Sequence, residues 1–283
     1  VATIGPDEND EADEPNEFLH VTDALNGQNG SMKIGDITDG RTFKDFEVGF
    51  KVYISDSTCC GSEDDFSEEH RPADGWSLSI GNDLPDTIGL AEEGAGSGIR
   101  ICFDTWDSGG GEAPAIDVWN GVQGQVGDGN QGAWSGGLFV RQNFGGVTGA
   151  SDDVKFKDPD TGELVFMWTH GEWVDFSLKI LGGQLSINYK GYQMINETLP
   201  PGWPALTAPE WLFAGRTGGA NSAHWVDDFY VKVYKPSGPI VSGFEGTASG
   251  VSVSLTDAEG NGLVADSVTA KFDGAAVDVS SSK

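Results

Sequence analysis

Short runs in which apolar and polar residues alternate recur along the chain, and they predict many β-strands. The clearest run spans residues 46–54, where every second position is apolar: Phe46, Val48, Phe50, Val52 and Ile54. An alternation of period two places these side chains on one face of a strand. Five apolar residues on one face predict a central strand in a sheet that packs on a second layer.

The same period-two pattern recurs further along the chain. Trp76, Leu78 and Ile80 alternate behind Asp74 and Gly75. Additional strands are predicted at residues 99–103, 138–142, 164–168, 173–180 and 184–189, separated by glycine-rich turns. With 42 glycines and hardly any continuous run of good helix formers, the chain is predicted to be all-β.

The segment from Gly98 to Gly121 predicts a strand, a glycine-rich loop and a second strand. Asp104, Asp107 and Glu112 lie in or beside this loop and offer hard oxygen ligands. Oxygen donors of this kind favour calcium over zinc. The alternative is an ordinary acidic hairpin loop whose glycines serve the turn, and the spacing alone does not decide between the two.

Charge and composition narrow the classes of function. The formal net charge of −29 over 283 residues disfavours nucleic acid as a partner, because phosphates would be repelled, and it disfavours adsorption to anionic membranes. No apolar run approaches the roughly 20 residues of a membrane-spanning helix. An acidic, soluble surface predicts a secreted or cell-surface location.

Three cysteines allow one disulfide. Cys59 and Cys60 are adjacent, and Cys102 lies on the strand that precedes the acidic loop. A bridge from the adjacent pair to Cys102 would suit an oxidising compartment and would leave one thiol over.

Three landmarks together resemble the legume-type (L-type) lectin domain of the concanavalin A-like lectin and glucanase superfamily. The first is Ala73-Asp74-Gly75 before an apolar alternation, followed by Ile88-Gly89-Leu90. The second is the strand that ends in Phe103-Asp104-Thr105. The third is the segment FAGRTGGANSAHWVDDFYVKVY at residues 213–234, which follows that family's closing pattern. The resemblance implies a concanavalin A-like jelly-roll sandwich over residues 18–235.

The resemblance also implies a carbohydrate site. In such lectins the aspartate of Ala-Asp-Gly binds sugar hydroxyls, which points to Asp74, and a later glycine donates a backbone amide, which points to Gly89. The position of Ser108 normally carries an asparagine that touches sugar. Gly219 and Asn221 lie where the family's last binding loop is expected. The predicted partner is therefore a glycan or polysaccharide.

For calcium, the family's ligand positions correspond to Asp104, the carbonyl of Trp106, Ser108 and Glu112, with Asp107 as an additional candidate. Ser108 replaces the family's asparagine, which weakens the case for calcium. The acidic residue that normally precedes the calcium aspartate by two positions is Cys102 here. The resemblance therefore implies a calcium site without the neighbouring transition-metal site.

The chain is predicted to have four parts. Residues 1–17 are an acidic arm, residues 18–235 the lectin-like domain, and residues 236–239 a Pro/Gly linker. Residues 240–283 resemble part of an immunoglobulin-like β-sandwich of bacterial surface proteins. About 44 residues are too few to close such a sandwich, so its missing strands lie in more of this chain or come from another molecule.

Two functions follow from these observations. The first is an extracellular lectin-like module that forms part of a larger secreted or surface adhesin. The second is a structural subunit of a surface assembly, in which the C-terminal segment pairs with a neighbouring copy. An enzyme is disfavoured because Cys102 interrupts the carboxylate pair of the superfamily's glucanases, and Glu172 and Asp175 are spaced for opposite faces of a strand.

Overall fold

The predicted alternating segments form two antiparallel sheets in the computed structural model. The structure describes residues 2–6, 17–55, 57, 72–86, 88–89, 91–120, 137–146, 151–234, 240–247, 250–256, 270–272 and 275–277. Its only helical element in these ranges is a 3₁₀ helix at Ala91–Glu93. The prediction of an all-β fold is confirmed.

One sheet has seven strands. Their spatial order is β1 (Thr3–Pro6), β2 (Glu17–Thr22), β15 (Ala223–Val233), β5 (Phe46–Ser55), β10 (Val174–Leu181), β11 (Gln184–Tyr189) and β12 (Tyr192–Thr198). The long alternating run predicted from the sequence is β5, at the centre. Its five inward side chains are at most 2% exposed.

The facing sheet has six strands. Their order is β3 (Asn29–Ile34), β14 (Glu210–Arg216), β6 (Gly75–Gly81), β7 (Ile99–Asp104), β8 (Ala115–Asn120) and β9 (Leu138–Asn143). A small two-stranded sheet pairs β4 (Thr42–Phe43) with β13 (Leu206–Thr207). The two large sheets make the layers of a sandwich.

Aromatic side chains fill the space between the sheets. Phe50 of the seven-stranded sheet contacts Trp76 of the six-stranded sheet edge-on, with ring centroids 5.5 Å apart. Trp76 in turn stacks on Phe103 at 4.2 Å. Burial of such large rings is the main term that holds the two layers together, and it fixes the ends of β6 and β7 relative to each other.

A second, smaller apolar cluster lies on the other side of the six-stranded sheet. Leu84 and Ala91 pack there on Leu212 and Ala214 of β14. This packing seats the 3₁₀ helix against the sheet and fixes the position of the two glutamates that the helix carries.

The structure corrects two sequence predictions. Residues 164–168 do not form a strand: Leu164 makes only an isolated bridge with Lys157, because the segment's hydrogen bonds go to loop residues, such as that from Val165 N to Phe156 O. The arm predicted at residues 1–17 is not wholly separate, because Thr3–Pro6 joins the seven-stranded sheet through β2. These four residues precede the acidic run and contain none of its charges.

Cys102 is free and buried on β7, so the structure forms no bridge to it. Cys59 and Cys60 lie outside the described residues. Within the described part of the chain, no helix is long and apolar enough to cross a membrane.

The C-terminal segment contains two hairpins. Strand β16 (Ile240–Thr247) pairs with β17 (Gly250–Thr256), and β18 (Ala270–Phe272) pairs with β19 (Ala275–Val277). Each pair forms a separate two-stranded sheet. These hairpins do not establish the immunoglobulin-like module, which stays a prediction.

Candidate functional site

The strand register brings the two principal predicted residues to one edge of the six-stranded sheet. Gly75, the first residue of β6, pairs with Asp104 at the end of β7 and with Arg216 at the end of β14. Asp74 immediately precedes Gly75. We call this edge the rim: Asp74, Asp104, Arg216 and the loops at residues 105–114 and 217–222.

Backbone hydrogen bonds tie the Asp74 turn to both neighbouring loops. The carbonyl of Asp74 accepts from the amides of Thr105 and Trp106 at 3.1 and 3.2 Å, and the Asp74 amide donates to the Arg216 carbonyl at 2.9 Å. The Ala73–Asp74 peptide bond is cis. The Asp74 and Asp104 segments are therefore directly joined.

The carboxylate of Asp74 is held between an arginine and a glycine. Arg216 Nε lies 3.0 Å from Asp74 Oδ2, and the Asp74 side chain is 16% exposed. A Cβ atom on Gly218 would lie 3.1 Å from Oδ1, so a larger residue there would require the carboxylate to shift by a few tenths of an ångström. Burial raises the pKa of Asp74, and the Arg216 charge opposes that rise.

Sequence analysis missed Arg216 and its second partner. Arg216 Nη2 also pairs with Glu92 Oε1, and Glu92 is buried on the 3₁₀ helix. Burial raises the pKa of Glu92 to about 6 and that of its neighbour Glu93 to about 8; the Glu92 charge adds to the latter rise. The one available signal was a single basic residue inside the segment FAGRTGG of a strongly acidic chain.

The loop at residues 105–114 is organised by its own acids. Asp107 Oδ1 accepts from the amides of Gly109 and Gly111 at 2.9 and 3.2 Å. Glu112 Oε1 accepts from the amide of Ser108 at 2.8 Å. Burial raises the pKa of Glu112, and the neighbouring Asp107 contributes to the rise. The acids of this loop thus stabilise its turns, as in the hairpin-loop interpretation.

Asp104 lies among other charged groups. Burial raises its pKa well above the usual range, and the nearby charges of Asp117, Glu92 and Glu112 add to the rise, whereas Arg141 opposes it. Its only described hydrogen bond is from the Trp106 amide to Oδ1, at 3.3 Å. Asp104 is partly buried, and a bound cation would stabilise the charged form of a carboxylate that lies near three other acids.

A buried ion pair, also missed by sequence analysis, flanks Asp104. Arg141 of β9 donates from Nε and Nη2 to the two carboxylate oxygens of Asp117 on β8, at 2.8 and 2.5 Å. A signal was available for Asp117, because AIDVWN places one charge inside a buried, largely apolar strand; Arg141 lies on the partly exposed strand LFVRQN, where a charge is unremarkable. A charge in a buried strand requires a partner.

The predicted calcium ligands do not converge. In the ranges described above, no group of three or more His, Cys, Asp or Glu side chains is placed to hold a metal ion. The donor chemistry fits calcium, since Asp104, Asp107 and Glu112 offer carboxylate oxygens beside a glycine-rich backbone. Because Asp107 and Glu112 bond to backbone amides of their own loop, binding would require this loop to rearrange.

The remaining predicted sugar contacts lie around the same rim. The carbonyl of Gly89 accepts from the Asn29 side chain at 3.2 Å, and Asn29 pairs with Arg216 across β3 and β14. Gly89, Ser108 and Gly219 are exposed. Asn221 differs: it is 2% exposed, and its amide donates to Asn26. Its side chain supports the loop and does not face solvent.

Comparisons with known proteins identify the fold. No family model matches the chain, and no curated protein sequence matches it. Among solved structures, the VIP36 exoplasmic/lumenal domain in its Ca²⁺/Man-bound form is 14% identical, with a TM-score of 0.53 and 84% of each chain covered. Its Ca²⁺/Man3GlcNAc-bound form gives 13% identity, a TM-score of 0.51 and 83% coverage of each chain.

The metal-free form of the same domain is equally similar, at 14% identity, a TM-score of 0.51 and 84% coverage of each chain. VIP36 is a legume-like (L-type) lectin domain. At this identity the comparison shows the fold alone: the chain has the jelly-roll β-sandwich fold that these lectin domains share, as the sequence landmarks predicted.

Proposed function

We propose that this protein is a carbohydrate-binding, lectin-like module of the extracellular or lumenal space, and that the rim binds neutral glycans. One observation carries the proposal: Asp74 lies at the same sheet edge as Asp104, and its carbonyl accepts hydrogen bonds from the loop after Asp104. A half-buried carboxylate beside exposed glycine-rich loops is suited to accept hydrogen bonds from sugar hydroxyls.

Four of the five predicted sugar contacts enter the proposal as direct contacts. Asp74 accepts from hydroxyls, and Gly89, Ser108 and Gly219 offer exposed backbone around it. Asn221 is assigned a supporting role because its side chain is buried. The similarity to a lectin domain solved with mannose supports a sugar ligand for this fold.

Calcium is the proposed cofactor. Asp104 would be its first ligand, joined by the Trp106 carbonyl and by Asp107 and Glu112 after the loop rearranges. The ion would neutralise the carboxylates that now raise one another's pKa and would order the loop next to Asp74. Two similar structures, one metal-free and one with calcium, share this fold.

Hydrolysis is not part of the proposal. The position two residues before Asp104 is Cys102, whose thiol has its pKa raised by burial, and a neutral thiol does not replace a catalytic carboxylate. Release of reducing ends from a panel of β-glucans would contradict this part of the proposal.

A glycan array tests the function. We expect the protein to bind a set of neutral glycans in calcium, and the signal to fall at least tenfold with a chelator or in Asp74→Asn. Asp153→Asn is the matched control, because Asp153 is exposed and lies outside the rim. An array signal that Asp74→Asn leaves unchanged would remove the basis of the assignment.

A second candidate function is a structural subunit of a surface assembly. The hairpins β16–β17 and β18–β19 pair only internally in the described part of the chain, and isolated hairpins are marginally stable in water. Pairing with another copy would complete them. Sedimentation velocity of the full chain from 1 to 100 µM (concentrations chosen on the order of typical weak-dimer affinities) should then show self-association, whereas a constant monomer would contradict it.

A further inference from the structure

Arg216 is placed to act on a ligand as well as on Asp74. Its Nε faces Asp74 Oδ2 and its Nη2 faces Glu92 Oε1. The third nitrogen of the guanidinium, Nη1, contacts no carboxylate within the described ranges. The side chain is 34% exposed although its Nε is buried, so part of Arg216 is open to solvent at the rim.

The neighbouring carboxylate has a complementary free position. Asp74 Oδ1 accepts no hydrogen bond from any described residue, and Gly218 leaves the space beside it open. Arg216 Nε faces the other oxygen, so Oδ1 and Nη1 are an acceptor and a donor on two side chains in contact, and neither atom is committed to the ion pairs of this cluster. A guanidinium donates in a fixed planar fork, which gives this pair a defined geometry.

We infer that Arg216 is a specificity-determining residue, and that Asp74 and Arg216 together bind two adjacent hydroxyls of a neutral sugar. One hydroxyl donates to Asp74 Oδ1, and the oxygen of its neighbour accepts from Arg216 Nη1. This inference rests on the glycan-binding function proposed above and adds the class of ligand.

The local charge selects against acidic sugars. Arg216 carries one positive charge, and its two partners Asp74 and Glu92 are both acids, so the cluster has no excess positive charge. A uronate or sialate carboxylate would meet a net negative site on a chain of net charge −29. A neutral vicinal diol incurs no such repulsion.

Glu92 holds the arginine in this position. It is buried on the 3₁₀ helix, which packs through Ala91 on the outer side of β14. Removing Arg216 alone would leave the Glu92 charge buried without its partner, which is strongly destabilising. The test therefore uses a double substitution that removes both charges and keeps two hydrogen-bonding amides.

The experiment compares the wild type, Arg216→Gln/Glu92→Gln and Arg216→Lys on an array of neutral, uronic-acid and sialylated oligosaccharides in calcium. Losing a hydrogen bond to a charged group should weaken binding to neutral glycans about ten- to hundredfold. Arg216→Lys keeps a cation beside Glu92 but lacks the planar set of guanidinium donors, so its affinity for neutral glycans should fall about tenfold. Lys33→Gln is the matched control, since Lys33 pairs with Asp86 and Glu210 away from the rim.

A deoxy-sugar series separates ligand contact from a structural role. The series consists of deoxy analogues of the terminal monosaccharide of the glycan that binds most tightly on the array. Deleting the hydroxyl that Arg216 contacts should lower the affinity of the wild type about tenfold and that of the double variant less than about twofold. A purely structural arginine would lower the melting temperature and leave the deoxy penalties equal in both proteins.

The outcomes distinguish the two proposals. Wild-type binding to neutral glycans that both Arg216 variants retain within twofold would overturn the role of Arg216 and leave the glycan-binding function standing, as would a wild-type preference for uronic acids. A wild type that binds no glycan would overturn the proposed function, and this inference with it.

Discussion

Replacing Arg141 by methionine tests the electrostatics beneath the rim. Arg141 bonds both carboxylate oxygens of Asp117, whose side chain is only 3% exposed. Breaking a buried pair from one side leaves an uncompensated charge and costs about 3–5 kcal/mol. Because the Arg141 side chain is 26% exposed, water can enter where it was, so we expect about 3 kcal/mol.

The deficit should depend on pH in a defined direction. Burial already raises the pKa of Asp117 while Arg141 opposes the rise, so removing the arginine raises that pKa further. An acid whose pKa is higher in the folded than in the unfolded protein destabilises the fold as the pH rises from the unfolded pKa to the folded pKa. The stability loss of Arg141→Met should therefore be largest at pH 7 and shrink as the pH falls towards about 4.

Urea unfolding at pH 7 and pH 5 measures this effect. A loss of about 3 kcal/mol corresponds to a fall in melting temperature of roughly 6–12 °C for a domain of this size. Asp117→Asn/Arg141→Met should recover most of the loss, because no charge stays buried. The matched control is Arg41→Met, since Arg41 lies 3.9 Å from Asp39 with both side chains exposed, and it should change stability by less than about 0.5 kcal/mol.

A loss below about 0.5 kcal/mol for Arg141→Met, or a loss independent of pH and unrelieved by Asp117→Asn, would refute this reasoning. It would mean that water already solvates the Asp117 carboxylate.

Two further predictions concern the rim itself. Gly218→Ala places a Cβ 3.1 Å from Asp74 Oδ1, so it should displace the carboxylate and weaken glycan binding about tenfold in a calorimetric titration. Gly35→Ala is the control, because a Cβ there meets open space, and it should leave glycan binding unchanged. The pKa of Glu93 is raised to about 8, so ionisation of Glu93 destabilises the folded protein as pH rises. Glu93→Gln should therefore be more stable than the wild type above pH 8, by on the order of 2 kcal/mol, and equally stable near pH 4. Urea titrations at the two pH values check this, and equal stabilities above pH 8 would contradict it.

Much of the fold could be predicted because the alternation of apolar and polar residues marks its central strands. The buried faces of β5, β6 and β7 appear in the sequence as uninterrupted alternations, and a period-two pattern favours a strand with one buried face. Residues 164–168 show its limit. Leu164, Phe166 and Trp168 suggest a strand, but the pattern does not reveal that their backbone partners lie in neighbouring loops.

The placement of Asp74 and Asp104 at one rim could also be predicted, because each ends or begins a strand in a recognisable motif. The side-chain contacts that organise the rim could not be predicted from the sequence. Arg216 joins Asp74 to Glu92 across separate elements, and no local pattern specifies such a pairing. Asn221 lies in the loop at residues 217–222, but the sequence does not show that its side chain turns inward to Asn26.

The most direct test of the central claim is a crystal structure of the protein soaked with calcium and the tightest array glycan. We expect a sugar ring at the rim, with a hydroxyl within about 3 Å of Asp74 Oδ1 and a calcium ion bound to Asp104. Sugar density on another surface, with Asp74 still facing only Arg216, would contradict it.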